Sequence, residues 1–579
     1  MSGERIFGEK RDGFSEGGDC APIKNLRANF SDGLPGSFDR ALPLSSGVPQ
    51  PNQVVTLAFL SEHIPASLIC EQLAGSLCAE TKATVVLVRF IFLNGNGATN
   101  DGLQPDVSLN GEFHMPPNVR QAEAGYCSII VGVDSEPPSP AGIASLVSQL
   151  SALFDYVLIG APANERSAPW LSECLVCSDL TYLLLRADNE DIKHHAELMR
   201  EVSFRSANVK PIGCLAEGER TDNFDTFVHR NVGPVHMFVR GYPTHKLFRA
   251  DVRRLARDVS GRLVGLALSS GAAKGFAHIG VIQVLEENGI EIDVIAGSSM
   301  GAYVGCLWAY GCEGPELERL AREMEGRWPL WTLIDPVFPP RQGFLRGHAV
   351  KKRLMRSIGN ACFADLVRPM RIVAGNLATL ERVVFSSGEV AAAVHASSAV
   401  PGICVPVTID GETYIDGGIV DPLPVDVLRE MGVSRVIGVD VIPTPDRIRA
   451  GLNAGREPAR VSENGPRKLF RKLLPVNQQL NYFARGNLLE ILMRSIYGAQ
   501  IRVAAATARM ADLVLRPNIC DDRWLDYRHP SKFIALGREA ATKHLEEIKA
   551  LVASGETSPA NKELNHEPER TPETVATTA

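Results

Sequence analysis

At 579 residues the chain is longer than one hydrophobic core usually organises, and its length predicts two to four domains. With 45% hydrophobic and 22% charged residues and a formal net charge of -7, it has the composition of a globular protein without a basic footprint, so no nucleic-acid partner is expected. The twelve cysteines are scattered without a paired framework and mostly sit in apolar runs, which predicts reduced thiols in a cytoplasm-like compartment.

Residues 1–50 are rich in Gly, Ser, Pro and charge without periodicity and are expected to be disordered. Their first twenty residues lack the apolar run of a signal peptide, so secretion is not expected. Over 51–245, strand-like runs (VVTLAFL, ATVVLVRFIF, CSIIVGV, YVLIGAP, LTYLLLRA, VKPIGCLA) alternate with helical stretches, which predicts a doubly wound α/β domain with a parallel sheet. Cys174 and Cys177 form a lone CxxC with no second pair for zinc, and a core or incidental reading is favoured over a redox one. A basic stretch, HKLFRADVRRLARDVSGR, leads into a second α/β region over 260–552. There LVGLAL runs into a small-residue loop, a helix ends near Gly289, IDVIAG follows as a strand, and another helix runs to about Gly311. The apolar window VIAGSSMGAYVGCLWAYGC is as long as a bilayer span, but its small residues favour a buried strand-turn-helix, and no transmembrane helix is expected. Residues 467–474, RKLFRKLL, suit either an anionic membrane surface or a helix with a solvated basic face. The tail, 553–579, is expected to be disordered.

Gly297-Ser298-Ser299-Met300-Gly301 fits GxSxG, which puts Ser299 on the tight turn between a buried strand and the next helix, with its hydroxyl projecting at the carboxyl edge of the sheet near a helix N-terminus. Ser298 holds the variable position and is the weaker candidate. Upstream, Ser269–Gly275 (SSGAAKG) joins a strand to a helix with residues small enough for backbone N–H groups to approach a developing oxyanion. It lacks GxxxxGK[ST], so Lys274 is not a phosphate-loop lysine. The histidines after Ser299, which are His348, His395, His529, His544 and His566, end no recognisable strand. A better base is Asp416 in VTIDGETYIDGGIVDPLP: Asp410-Gly411 suits a hairpin turn, and the returning strand delivers Asp416 just before Gly417-Gly418.

The ordered blocks SSGAAKG, GSSMG, HASSAVPGICVPV and YIDGGIVDPLP resemble the patatin-like phospholipase family, most closely its neuropathy target esterase type in a bacterial-like form. The likeness is strong over about 263–445 and looser to about 550. It implies a three-layer α/β/α catalytic domain in which Ser299 is the nucleophile and Asp416 the base of a dyad. The oxyanion hole would come from Gly271, Ala272, Ala273, Lys274 and Gly275 with the Met300 N–H, supported by Gly297, Gly301, Gly417 and Gly418. No metal or other cofactor is implied; the substrate would be a phospholipid or lysophospholipid, and the setting cytoplasmic, with peripheral contact at the inner face of a membrane. An acyltransferase using the same acyl-enzyme and a non-catalytic membrane-associated scaffold are the alternatives. The sequence departs from the family in the oxyanion loop, where Ser270 and Ala272 replace glycines and Lys274 replaces an arginine; the β-carbon at 272 is expected to shift the backbone there. The region 51–245 resembles the segment preceding the catalytic domain in neuropathy target esterase relatives and, more distantly, ParA/MinD-type ATPases in degenerate form. Gly160 stands at their acidic position and VVTLAFLSEHIPAS lacks the glycines and lysine of a phosphate loop, so ATP binding is not expected. The cyclic-nucleotide-binding domains of larger relatives have no evident place in this chain.

Overall fold

The computed structural model describes residues 52–553 except 62, 93–104, 109–118, 134–137, 164–167, 187–207, 218, 220–234, 243–245, 326–334, 340, 445–487 and 520–526. The segment 1–50, the basic run 467–474 and the tail after 553 lie outside the described residues. All described residues belong to the unit Gly47–Ala579.

The first sheet is built from β1 (Gln53–Phe59), β2 (Val85–Phe92), β3 (Val107–Ser108), β4 (Arg120–Gln121), β5 (Cys127–Val133), β6 (Tyr156–Pro162), β7 (Leu180–Leu185), β8 (Val209–Ala216) and β9 (Met237–Tyr242). Its order is β3-β5-β2-β6-β1-β7-β8-β9, parallel throughout, with β4 added antiparallel on β5. Helices α1 (Ala66–Thr81), α2 (Pro140–Ser151) and α3 (Ala168–Val176) make crossovers between its strands. The apolar runs do not alternate because both faces are covered, and Val54–Phe59 and Leu180–Leu185 are buried at every position. The stretch between the two expected regions is helix α4 (Lys246–Val259), whose Phe248, Val252, Leu255 and Val259 are buried.

The second sheet contains β10 (Val264–Leu268), β11 (Val294–Ser298), β12 (Met370–Asn376), β13 (Arg382–Phe385), β14 (Val407–Ile409), β15 (Glu412–Asp416), β16 (Arg435–Val439) and β17 (Leu513–Leu515). Its order is β14-β15-β12-β11-β10-β16-β17, with β13 also on β12. Strands β10, β11, β12, β16 and β17 are parallel neighbours, while β13, β14 and β15 pair antiparallel. Around it lie α5 (Ala277–Glu287), α6 (Met300–Tyr310), α7 (Gly314–Arg322), α8 (His348–Ile358), α9 (Val390–Ser397), α10 (Val425–Glu430), α11 (Leu488–Thr507), α12 (Pro530–Lys543) and α13 (Leu545–Ala553). The chain is therefore α/β in both halves. One buried apolar cluster runs from Leu57 and Leu184 of the first sheet through Phe248 and Leu255 of α4 to Ala267 and Val436 of the second. Among the described residues no helix is long and apolar enough to cross a membrane, and all ten described cysteines are free thiols, Cys174 and Cys177 included.

Candidate active site

Strand β11 ends at Ser298 and α6 begins at Met300, which leaves Ser299 alone in the turn with φ 53° and ψ -117°. A side chain at positive φ is strained, and here close packing enforces it. A β-carbon at Gly301 would lie 2.2 Å from the Leu268 carbonyl oxygen, and one at Gly297 would lie 2.8 Å from the Ala302 backbone. Only glycine at both positions lets α6 start this close to β10 and β11, and the result is a hydroxyl held at the carboxyl edge of the sheet. The Ser299 N–H donates to Ser397 Oγ at 2.8 Å.

Asp410 and Gly411 take φ 51° and 84°, the left-handed pair of a tight hairpin, so β15 returns antiparallel to β14. On β12, consecutive residues Val373 and Ala374 pair with Ser298 of β11 and Asp416 of β15. The ends of these two strands thus meet, and Ser299 Oγ donates to Asp416 Oδ2 at 2.6 Å across 117 residues of sequence. Asp416 is 2% exposed and Ser299 8%. The other carboxylate oxygen, Oδ1, accepts the Gly418 N–H at 2.7 Å, and the Asp416 N–H donates to the Ala399 carbonyl. Burial pushes the Asp416 carboxyl up to about 6, opposed by the bonds from Ser299 and Gly418. A β-carbon on Gly417 would lie 2.1 Å from the Val373 carbonyl oxygen, and one on Gly418 would lie 2.7 Å from Ser270 Oγ, so both glycines are needed for the approach.

The small-residue loop becomes a 3-10 turn, Ala272–Phe276. Despite its β-carbon, Ala272 takes φ 48°, so the alanine does not exclude a left-handed backbone there. Among the described residues, the N–H groups of Gly271, Ala272, Ala273 and Met300 donate to no backbone acceptor. The Lys274 N–H is different, because it closes the turn onto the Gly271 carbonyl. The Lys274 side chain is buried, and a β-carbon at Gly275 would lie 2.4 Å from Met300 Cγ, which puts the loop directly against the start of α6.

Of the histidines named from sequence, His395 is hydrogen-bonded at Nε2 to the Arg346 carbonyl and stands edge-on to His348, while His544 meets Glu547. No described histidine bonds Ser299 or Asp416, and His566 lies outside the described residues. Sequence reasoning missed two residues that hold the site. Ser397 lay unassigned within the HASSAVPG block, and nothing in its own neighbourhood shows that it would meet an N–H 98 residues away. His278 binds the Ser269 carbonyl through Nε2 at 2.9 Å, and burial keeps its ring neutral, with the pKa pushed down to about 4. The Ser269 hydroxyl accepts the Val441 N–H, and the Ser270 N–H donates to the Pro422 carbonyl, so the loop is tied on both sides.

This buried serine-carboxylate pair, with unpaired backbone donors beside it, is suited to nucleophilic acyl transfer. Residues 266–429 match the model of the patatin-like phospholipase family. Among curated proteins, the chain is similar to lysophospholipase nte1 of Aspergillus fumigatus, with 32% identity over 201 residues, covering 34% of this chain and 13% of that protein. It is also similar to lysophospholipase NTE1 of Yarrowia lipolytica, with 28% identity over 310 residues, covering 53% of this chain and 21% of that protein. The chain thus spans about an eighth to a fifth of the length of these relatives. Among solved structures, VipD from Legionella pneumophila has a TM-score of 0.26 at 14% identity, covering 49% of this chain and 67% of that one. The cell division ATPase MinD of Pyrococcus furiosus has a TM-score of 0.30 at 13% identity, covering 36% of this chain and 97% of that one.

Proposed function

From a chain that carries a patatin-like phospholipase domain of the neuropathy target esterase type, we propose hydrolysis of the acyl ester of a phospholipid or lysophospholipid through a Ser299–Asp416 dyad. The observation that carries this reading is the 2.6 Å bond from Ser299 Oγ to Asp416 Oδ2, buried at the turn where β11 meets α6. Asp416 takes the hydroxyl proton as Oγ bonds to the ester carbonyl carbon, and the carbonyl π electrons move onto oxygen. We assign that oxyanion to the N–H groups of Ala272, Ala273 and Met300, with that of Gly271, which donate to no backbone acceptor among the described residues. Collapse breaks the ester C–O bond, and the departing alkoxide takes the proton from Asp416. Water then repeats the sequence on the acyl-enzyme and releases the fatty acid, regenerating both groups. A carboxyl near 6 is a better match to a neutral operating pH than an ordinary aspartate, which supports the base role.

We read 51–245 as a supporting domain without ATP chemistry and 260–552 as the catalytic one. The segment after β1, Leu60–Pro65, has neither glycine nor lysine to cradle a phosphate. Labelling with a fluorophosphonate probe, followed by analysis of lipid products, tests the function. Wild type is expected to label and to release fatty acid from lysophospholipid, while Ser299→Ala does neither and Asp416→Asn reacts at least about a hundredfold more slowly. Label retained in Ser299→Ala places the nucleophile elsewhere, and acyl groups passed to a glycerol or lysolipid acceptor in preference to water make the enzyme an acyltransferase.

A further inference from the structure

Eight large hydrophobic side chains are exposed among the described residues, and the two most exposed are Phe338 at 96% and Leu380 at 75%. Leu380 lies at the carboxyl edge of the second sheet, where Ser299 and Asp416 sit, and Phe338 lies in a hairpin bonded to the segment that follows Ala399 beside Asp416. Leu380 and Leu377, the latter 43% exposed, form the tip between β12 and β13, just past Asn376 at the carboxyl end of β12. That tip is tied to the neighbouring hairpin by the Leu377 N–H to the Thr413 carbonyl.

Phe338 belongs to a second hairpin, which is bonded to residues 403–405. The Val337 N–H donates to the Phe344 carbonyl, the Phe344 and Leu345 N–H groups donate to the Ile403 carbonyl, and Val405 returns a bond to Leu345. The segment it grips follows directly from Ala399, whose carbonyl holds the Asp416 N–H. From Val400 to Val407 that segment is apolar at every position and half-buried throughout. By contrast, Leu153 and Val176 stand just before strands of the first sheet, and Tyr310 ends α6 at the far edge of the second.

The exposed charges on these tips are two of each sign, with Asp335 and Glu412 half-buried beside them. Arg341 and Arg346 are exposed on one, Glu381 and Asp410 on the others, while Arg382 is engaged by Asp421, Asp426 and Glu430. An exposed apolar rim with balanced charge fits a surface that is apolar beneath and zwitterionic at its face.

Resting on the lipid-ester reading above, we propose that Phe338, Leu377 and Leu380, with the 400–407 segment between them, form a rim that inserts into a zwitterionic phospholipid bilayer and brings the dyad to its substrate. Attachment is hydrophobic, so it does not depend on anionic lipid or low salt.

Flotation with phosphatidylcholine vesicles tests this, using the full chain as Ser299→Ala so that no lipid is consumed. The parent is expected to float, equally at about 0.1 and about 1 M NaCl. Adding Phe338→Asp and Leu380→Asp is expected to weaken binding by about tenfold or more, because two apolar anchors would then carry charge. Leu153→Asp with Val176→Asp, a pair each 60% exposed and away from the edge, is expected to float like the parent, and melting temperatures check that each variant is folded. Undiminished flotation of the rim variant overturns the proposal. So does a parent that floats only with anionic vesicles and is released by salt, which would assign attachment to a basic surface. Hydrolysis is read separately on wild type: flotation without hydrolysis leaves the rim standing and removes the enzymatic reading, while hydrolysis with rim-independent flotation does the reverse.

Discussion

At the scale of single residues, the dyad is held by groups that make no contact with substrate chemistry. Ser299 keeps its strained backbone because Ser397 accepts its N–H, and Asp416 keeps its orientation because Gly418 donates to Oδ1. The cost of this arrangement lies in the Asp416 carboxyl, which burial raises from 3.8 to about 6. Catalysis needs the ionised form, so kcat/KM is expected to fall about tenfold per pH unit below about 6 and to be flat above it. Stability runs the opposite way. The folded-state pKa is the higher one, so the stabilising effect of a protonated Asp416 is complete below 3.8, declines between 3.8 and about 6, and is gone above that. A shift of this size is worth on the order of 3 kcal/mol. Asp416→Asn is therefore expected to be nearly inactive yet to melt above wild type at pH 8, with the difference closing near pH 4. Thermal melts of both proteins across that range check it, and an advantage that does not change with pH would show that the carboxyl is not strained by burial.

At the scale of elements, the oxyanion turn is supported from far down the chain. Helix α12 crosses α5, the helix that continues the turn, so closely that a β-carbon at Gly537 would lie 1.9 Å from the Ala277 carbonyl oxygen and one at Gly280 would lie 2.0 Å from that of Ile534. Phe276, the last residue of the turn, stands edge-on to Tyr527 just before α12. Gly537→Ala is expected to cost about 1–3 kcal/mol by overpacking and to slow fluorophosphonate labelling, although it lies outside the 266–429 match. Gly498→Ala in α11, where a β-carbon meets nothing within 4 Å, is expected to gain up to about 1 kcal/mol and leave labelling alone. Equal effects from the two alanines would deny α12 its supporting role. Such contacts mark the limit of what is legible in the sequence. The GSSMG turn, the Asp410-Gly411 hairpin and the helix stop at Gly311 follow from rules acting within a few residues, and the apolar runs of β1, β2, β5, β6, β7 and β8 announce buried parallel strands. Strand β9, MFVRGY, carries a charge and a glycine and does not read as a core strand, because Arg240 is satisfied only by partners more distant in sequence. Ser397, His278 and Gly537 stayed unread for the same reason: each acts on a group that only the fold brings near. Ala272 shows the converse, since local preference disfavours its positive φ and the surrounding packing overrides it.

At the scale of the whole molecule, Arg240 joins the two sheets. From β9 of the first sheet it donates through Nε and Nη2 to Asp251 of α4, each at 2.8 Å, and through Nη1 to the Ala364 carbonyl at 2.9 Å and to that of Leu366. Arg254 shares Asp251 and, with Arg240, reaches the Val367 carbonyl, while Arg371 at the start of β12 donates back to the Val235 and His236 carbonyls beside β9. The loop gripped by Arg240 and Arg254 leads into β12, the strand on which Ser298 and Asp416 take their register. Around this charged clamp the apolar cluster is continuous from Leu57 to Val436, so neither sheet can expose its share of the core without disturbing the other. Removing the guanidinium leaves Asp251 with Arg254 and the residue-240 backbone N–H, and takes one donor from each of the Ala364, Leu366 and Val367 carbonyls, of which Val367 keeps Arg254, a loss of roughly 3–5 kcal/mol for a buried ion pair broken on one side. Arg240→Ala is therefore expected to lower, by several degrees, the temperature at which Ser299 stops reacting with a fluorophosphonate, although residue 240 contributes nothing to the dyad. In the same heating series, hydrogen-exchange protection of β1 and β7 is expected to be lost together with labelling in both wild type and variant. If the variant lost protection in the first sheet while Ser299 reacted up to the wild-type temperature, the sheets would be independent units and the clamp a local feature of β9. Coincident loss makes the first sheet part of what keeps the nucleophile folded, a role that requires no nucleotide.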